Sequence, residues 1–222
     1  MTRVLGVDGA RGGWVAVALE RGRFATARFV TRFGELVDDE ATVIGVDIPL
    51  GSNGAARVAD AAARRLLGRR GASVFDAPPR DVLDAPDYAT ANRWCRERHD
   101  RGLSAQAWNL APKMLDVEPH WHRAPHRIFE VHPELSFAAM AGSVVEEPKR
   151  TWAGQRTRAR LLTEAGIRVP DELGPAGAAG PDDVLDAAAV AWSAARIAVG
   201  AQQCVPDPAE RDAANRPVAI WF

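Results

Sequence analysis

Five carboxylates occupy positions in this sequence where they could act together. Asp8 ends a short apolar run, Asp47 ends a second one, and Glu130 lies in a third. Asp183 and Asp186 are three residues apart near the start of a predicted C-terminal helix, so they share one face of it. Magnesium and manganese ions prefer oxygen ligands of this kind. Carboxylates from different elements that meet at one point could therefore hold divalent cations and activate water against a phosphodiester.

Asp8 itself has two interpretations. It is followed by the glycine-rich turn at residues 9–13 and then by a second apolar run, a pattern typical of a buried hairpin. A buried carboxylate is costly at this point unless something cationic holds it. Asp8 either helps to hold a divalent metal or a phosphate, or it caps the turn. This stretch alone favours neither interpretation.

The elements that must position these carboxylates form a predicted mixed sheet. Its strands are expected near residues 3–8, 13–19, 23–30, 42–47 and 126–131. The first three form an antiparallel meander, and a crossover through a short helix at residues 33–39 makes the fourth strand parallel to the central first one. Asp8 and Asp47 then lie at the same edge of the sheet, where open α/β sheets bind ligands.

The rest of the chain is predicted to be mainly helical. Residues 55–122 form a helical insertion, with helices near 88–101 and 104–117, and Pro112 bends or breaks the second of these. Later helices are expected near residues 134–141, 155–165 and 182–199. Residues 204–215 are rich in turn-forming residues, and 217–222 form a short strand or an apolar tail that packs on the core.

Basic side chains could form a surface that faces the substrate. The insertion carries Arg57, Arg64, Arg65, Arg69 and Arg70 against a single aspartate, Asp60, within residues 57–70. Arg64 and Arg65, together with Arg11 in the glycine-rich turn, are predicted to contact phosphate groups. The alternative is a solvated helix face with no ligand.

Three further side chains are predicted to bind the substrate. Lys113 and Lys149 are the only lysines in a chain whose other basic residues are arginines, so these two positions could require a compact ammonium, although chance retention explains them equally well. His132 follows Glu130 by two residues and would face the same side of a regular strand. It could position a ligand or act as a base, or it could simply mark the entry to the next helix.

Composition limits the class of protein. The 222 residues suffice for one domain with a sizeable core, so residues 1–222 are expected to form a single domain. A net charge of −1 argues against a protein coated with nucleic acid, and any such contact needs a local basic face. No apolar run approaches a membrane span, the chain starts directly with a strand, and Cys95 and Cys204 have no zinc-site spacing. These features predict a cytoplasmic protein with reduced thiols and no membrane partner.

The order hairpin, third strand, helix, strand, strand and late helix resembles the ribonuclease-H-like fold. Four motifs resemble one family more closely, the domain of unknown function 429. They are GVDGARGGW at residues 6–14, DIPLG at 47–51, FEVHPELSF at 129–137 and DDVLDA at 182–187. Residues 104–113 and 149–151 are also similar. Since that family is described as predicted ribonuclease-H-like nucleases, the resemblance implies an α/β fold with a mixed five-stranded sheet, flanking helices and a metal-dependent nuclease activity.

The combined prediction is a phosphodiester hydrolase that uses Mg²⁺ or Mn²⁺. Asp8, Asp47, Glu130 and Asp186 are the predicted metal ligands, and Asp183 lies at the margin of the catalytic set. Nucleic acid or a small phosphodiester is the expected substrate. The alternatives are a non-catalytic module that binds nucleic acid or another ligand on the same fold, and a phosphotransferase of the actin-like or sugar-kinase type. The phosphotransferase normally needs a second domain and a second phosphate loop, and neither is evident in the sequence.

Overall fold

The structure is a computed structural model that describes residues 2–37, 40–51 and 56–222. Its strands are β1 (Arg3–Ala10), β2 (Gly13–Glu20), β3 (Arg23–Val30), β4 (Val43–Val46), β5 (Ile128–Glu130), β6 (Cys204–Arg211) and β7 (Pro217–Trp221). Its helices are α1 (Gly34–Val37), α2 (Val58–Leu67), α3 (Tyr88–His99), α4 (Ala105–Trp108), α5 (Ala111–Arg123), α6 (Pro133–Ala141), α7 (Trp152–Glu164) and α8 (Pro181–Ala198). The end of the predicted helix at 33–39 and the start of the predicted insertion at residue 55 lie outside the described residues. Within the described ranges, no helix combines the length and apolar character needed to cross a membrane.

Five strands form the predicted mixed sheet, in the order β3-β2-β1-β4-β5. β1 pairs with β2 and β2 with β3 in antiparallel fashion, whereas β4 lies parallel to both β1 and β5. The predicted central position of β1 and the α/β, ribonuclease-H-like architecture with flanking helices are therefore confirmed. β1 extends to Ala10, so Asp8 does not end the strand as predicted. It lies instead just beyond the last pair that β1 makes with β4.

Helices cover both faces of the sheet. Successive residues of β1 point to opposite faces, so the strand contributes to two cores. On one face, Leu5 and Val7 pack with Met114 and Trp121 of α5. On the other face, Val4 belongs to a core built largely from the alanines of α8. The sheet is therefore buried between α5 and α8, as expected for a strand that is apolar over most of its length.

Helices α2 to α5 lie between β4 and β5 in the chain, as predicted for the helical insertion. Asp87 and Ser104 cap the starts of α3 and α4 by accepting hydrogen bonds from Thr90 N and Ala107 N. The predicted helix at 104–117 is divided into α4 and α5, and Pro112 lies in the first turn of α5. A proline is tolerated there because that turn has no intrahelical acceptor for its missing N–H.

The C-terminal region forms a second, two-stranded sheet. β6 pairs with β7 in antiparallel fashion, with an irregular register between Val205 and Glu210. The predicted turn-rich character of residues 204–215 is therefore wrong for residues 204–211. Pro206 and Pro208 obscured the strand in the sequence, because proline removes a ladder donor and is confined to edges and irregular pairings. The strand alternative for the final residues is correct.

Candidate metal centre

Parallel pairing of β1 with β4 brings Asp8 and Asp47 together. The register matches Gly6 with Gly45 and Val7 with Val46, so an aspartate follows the last matched residue in each segment. The sequence Gly-Val-Asp occurs at both 6–8 and 45–47. This repeated tripeptide is a signal in the sequence that could have predicted the register.

Helix α8 supplies the third carboxylate, and glycine in β1 lets the helix come close. A Cβ atom placed on Gly6 would lie 2.0 Å from the backbone nitrogen of Ala191 and 2.2 Å from the carbonyl oxygen of Ala187. Any side chain at this position would force the helix away from the strand. Asp186 directly precedes Ala187, so this contact sets the depth at which its carboxylate meets the sheet.

Asp8, Asp47 and Asp186 form what we term the three-carboxylate cluster. Each contributes one carboxylate oxygen, and these oxygens all lie within 4.8 Å of one another. Asp8 is 6% exposed and Asp186 is 2% exposed. Asp8 Oδ1 accepts a hydrogen bond of 2.7 Å from the Gly9 backbone N–H. Among the described residues, the buried Asp186 Oδ1 has no hydrogen-bond partner.

The three carboxylates of the cluster carry more negative charge than the nearby positive charge offsets, and their pKa values are raised. Burial, reinforced by Asp47 and Asp186, raises the pKa of Asp8 well above its usual range. Burial likewise raises the pKa of Asp47 to about 7 and that of Asp186 to about 6, although Lys149 acts in the opposite direction on both. One ammonium thus only partly offsets three carboxylates.

Lys149 is the cation nearest to the cluster. Its ammonium donates a hydrogen bond to Asp186 Oδ2. Burial lowers the pKa of Lys149, but Asp186 and Asp8 raise it more, so the side chain stays charged. The donor set of three carboxylates, with one buried oxygen lacking a partner, could hold a hard divalent cation.

Glu130 does not join the cluster, although the sequence predicts it as a metal ligand. Its carboxylate accepts hydrogen bonds of 2.7 Å from Arg57 and from the Leu50 backbone N–H. Arg57 also lies 3.4 Å from Asp60, and all three charged side chains are buried. Glu130 therefore holds α2 against β5 as a buried ion pair. Arg57, predicted to belong to a basic surface, is likewise a buried structural residue.

Asp183 also lies outside the three-carboxylate cluster. Burial and Asp182 raise its pKa, and its charge contributes to the raised pKa of Asp8. The structure thus leaves Asp183 at the margin of the site, one turn of α8 away from Asp186.

The predicted substrate-binding residues are divided between the site and the surface. Lys113 packs across Gly9, donates to the Gly13 carbonyl oxygen and lies 4.1 Å from the centre of the Trp14 ring. Burial lowers the pKa of Lys113, whereas Asp116, and to a lesser extent Asp8 and Asp183, raise it. Lys113 is thus a second ammonium near the cluster.

The other predicted substrate-binding residues lie outside the three-carboxylate cluster. Arg11 and Arg65 are exposed, at the hairpin turn and on α2 respectively. Arg64 pairs with Asp76 at 2.6 Å. His132 lies 3.4 Å from the Ser73 carbonyl oxygen, and burial lowers its pKa.

A cleft of about 360 Å³ lies beside the cluster, and it contains residues that the sequence reasoning missed. Asp47, Asp186 and Lys149 line one part of it. Phe75 and Arg150 also line it. Nothing in the sequence around Phe75 indicated a site, whereas Arg150 adjoins Lys149, a predicted substrate contact. We call this cavity the cleft.

Buried ion pairs support the wall of the cleft. Glu134 lines it and binds Arg158 at 2.7 Å and Arg70 at 3.1 Å. Its charge raises the pKa of Asp47 and of Asp186. This network was also missed, because its partners lie far apart in the sequence.

Fold and site together define an α/β protein of ribonuclease-H-like architecture, with a buried carboxylate cluster between its first and fourth strands and its longest helix. The chain belongs to the family of proteins of unknown function DUF429, whose model matches residues 6–211. No match was found among curated proteins or among solved structures.

Proposed function

We propose that this protein is a phosphodiester hydrolase that depends on Mg²⁺ or Mn²⁺, in keeping with the family resemblance to predicted nucleases. The observation that carries the proposal is the three-carboxylate cluster, with its unpartnered buried oxygen on Asp186. Carboxylates gathered in this way repel one another and resist ionisation. A divalent cation reverses that cost, because it stabilises each ionised carboxylate around it.

The residues of the cluster and those of the cleft would have different roles in the hydrolysis. Asp8, Asp47 and Asp186 would hold the cation, which when bound activates water and stabilises negative charge on a phosphodiester. Lys149 contacts Asp186 and lines the cleft, so its ammonium is placed to pair with a phosphate oxygen. Arg150 lines the same cleft with a side chain that is 86% exposed, and it can orient the phosphate from outside.

The test is a cleavage screen in Mn²⁺ and in Mg²⁺. The substrates are bis(p-nitrophenyl) phosphate and single-stranded, duplex, hybrid and branched nucleic acids. We expect metal-dependent turnover of at least one of them, abolished by Asp8→Asn. The matched control is Asp171→Asn, because Asp171 is an exposed aspartate that lines a different groove. Turnover in EDTA, or turnover unaffected by Asp8→Asn, would contradict the proposal.

Two other outcomes select the alternative functions. Metal and nucleic-acid binding without turnover of any substrate would indicate a non-catalytic binding module. Stabilisation by ATP with metal, but not by metal alone, would indicate a phosphotransferase.

A further inference from the structure

Charged and apolar side chains both line the cleft. The charged residues include Asp47, Asp186, Lys149 and Arg150. The lining also includes apolar side chains that the proposed hydrolysis does not use. They are Pro49, Val74, Phe75, Leu110 and Ile220.

Phe75 is the aromatic residue among these apolar side chains. The residue is 40% exposed, so it is among the large apolar residues in the described part of the chain that remain in contact with solvent. It lies in the segment between two short 3₁₀ helices, Gly68–Ser73 and Arg80–Val82. Phe75 thus places an exposed aromatic ring in a cleft that also contains the cations Lys149 and Arg150. Proteins use aromatic rings together with cationic groups to bind unpaired nucleotides, with the base stacked on the ring.

The size of the cleft sets a limit on what enters it. Its volume of about 360 Å³ is at the lower end of the range for small-molecule sites, about 300–1,000 Å³. A single nucleotide is a ligand of that class, whereas a duplex keeps its bases stacked and inaccessible.

The charges nearby also argue against a duplex. A duplex-binding surface needs several arginines or lysines free to contact successive phosphates. In the basic segment at residues 57–70, Arg57, Arg64 and Arg70 are each paired with an acidic side chain. Their positive charge is therefore already largely used within the protein.

We propose that the cleft binds one unpaired nucleotide, with its base stacked on Phe75 and its phosphate at the three-carboxylate cluster. The inference rests on the proposed function, because it specifies the substrate of the same site. The nucleotide could be free or part of a single strand, since both offer the same base and phosphate.

The test measures binding by fluorescence anisotropy, with Ca²⁺ in place of Mg²⁺ to suppress turnover. The probes are labelled oligothymidylate and a labelled blunt hairpin duplex, and unlabelled thymidine monophosphate is the competitor. The variants are Phe75→Ala, Phe75→Tyr and Trp152→Ala. Trp152 is the matched control because its ring is 77% exposed but lines a different groove.

We expect oligothymidylate to bind more tightly than the duplex. Phe75→Ala should weaken that binding about tenfold or more, as expected for loss of one stacked base. Phe75→Tyr should retain it, since the ring remains, and Trp152→Ala should leave it unchanged. Full competition by thymidine monophosphate identifies a free nucleotide as sufficient, and weak competition identifies a strand.

Four results would overturn the inference: unchanged binding in Phe75→Ala, an equal loss in Trp152→Ala, equal affinity for the duplex, or no binding of oligothymidylate by the wild type. Hydrolysis of bis(p-nitrophenyl) phosphate by the same preparations separates the two proposals. If Mn²⁺-dependent hydrolysis persists but Phe75→Ala does not weaken the binding of oligothymidylate, only the proposed base site is refuted. If Phe75 governs binding but no phosphodiester is cleaved, the hydrolase proposal fails instead.

Discussion

Gly6 of β1 lies directly beside Gly45 of β4 in the parallel register, and both face α8. A Cβ at Gly6 would meet the helix backbone at 2.0 Å, and one at Gly45 would meet the Val190 side chain at 2.8 Å. Because neither glycine has a side chain, α8 can pack directly against the two strands at this point. The aspartates two residues beyond each glycine then meet Asp186, so the geometry of the candidate metal centre depends on this close packing.

Gly6→Ala should therefore disturb both the fold and the site. Because the added methyl would meet helix backbone rather than a flexible side chain, we expect a loss of about 1–3 kcal/mol or more in the free energy of unfolding. The metal-induced rise in melting temperature should shrink with it. Urea unfolding and thermal melts with and without Mg²⁺ measure both. Gly102→Ala is the control, since its nearest neighbour would be 3.9 Å away; equal effects of the two substitutions would refute the explanation.

Asp8→Asn should abolish the stabilisation by metal without harming the metal-free protein. A cation that binds only the folded state stabilises it by about 2.7 kcal/mol at a hundred times its dissociation constant. Removing one ligand charge removes most of that gain, while it also removes repulsion within the cluster. The metal-free variant should thus melt at the wild-type temperature or above. A destabilised variant that is still stabilised by metal would make Asp8 a turn residue, which is the alternative left open by the sequence.

Lys149→Met should destabilise the metal-free protein and increase its stabilisation by metal, which is the reverse of the effects expected for Asp8→Asn. Without the ammonium that contacts Asp186, the three carboxylates lose their main compensating charge, so the metal-free protein should be less stable. The metal-induced rise in melting temperature should become larger than in the wild type, because the ammonium no longer competes with the cation. Differential scanning fluorimetry across a Mg²⁺ titration measures both. A smaller rise in the variant would show that Lys149 assists the cation rather than opposing it.

The sequence predicted the five strands of one mixed sheet and the central position of β1, because buried apolar runs with turns between them leave few topologies. It also predicted that Asp8 and Asp47 share one edge of the sheet, with Glu130 and Asp186 as further metal ligands. It could not show that Glu130 pairs with Arg57, because Arg57 lies 73 residues earlier on another element. Nor could it identify Phe75, because the position of that ring depends on how the helical insertion packs.

The contribution of the cluster to the stability of the metal-free protein should fall as pH rises, whereas the stabilisation by metal should grow. Because the pKa of Asp47 is raised to about 7 and that of Asp186 to about 6, the folded state binds more protons than the unfolded state between about pH 4 and pH 7. The contribution of these groups to stability therefore falls as pH rises through that window. The metal-induced rise in melting temperature should grow over the same window, since a cation needs the ionised carboxylates. A rise of equal size at pH 5 and pH 7.5 would contradict the raised pKa values.

Glu130→Gln separates the role seen in the structure from the role predicted by the sequence. Glu130→Gln leaves the buried Arg57 guanidinium without its carboxylate partner, so we expect a loss of about 3–5 kcal/mol in the free energy of unfolding, typical of a broken buried ion pair. Arg57→Met should cost a similar amount, because it leaves Glu130 buried without its partner. Both variants that remain folded should keep the full metal-induced rise in melting temperature, since neither residue belongs to the three-carboxylate cluster. If Glu130→Gln instead removed that rise at little cost in stability, Glu130 would be a metal ligand after all, and the cluster would have four members.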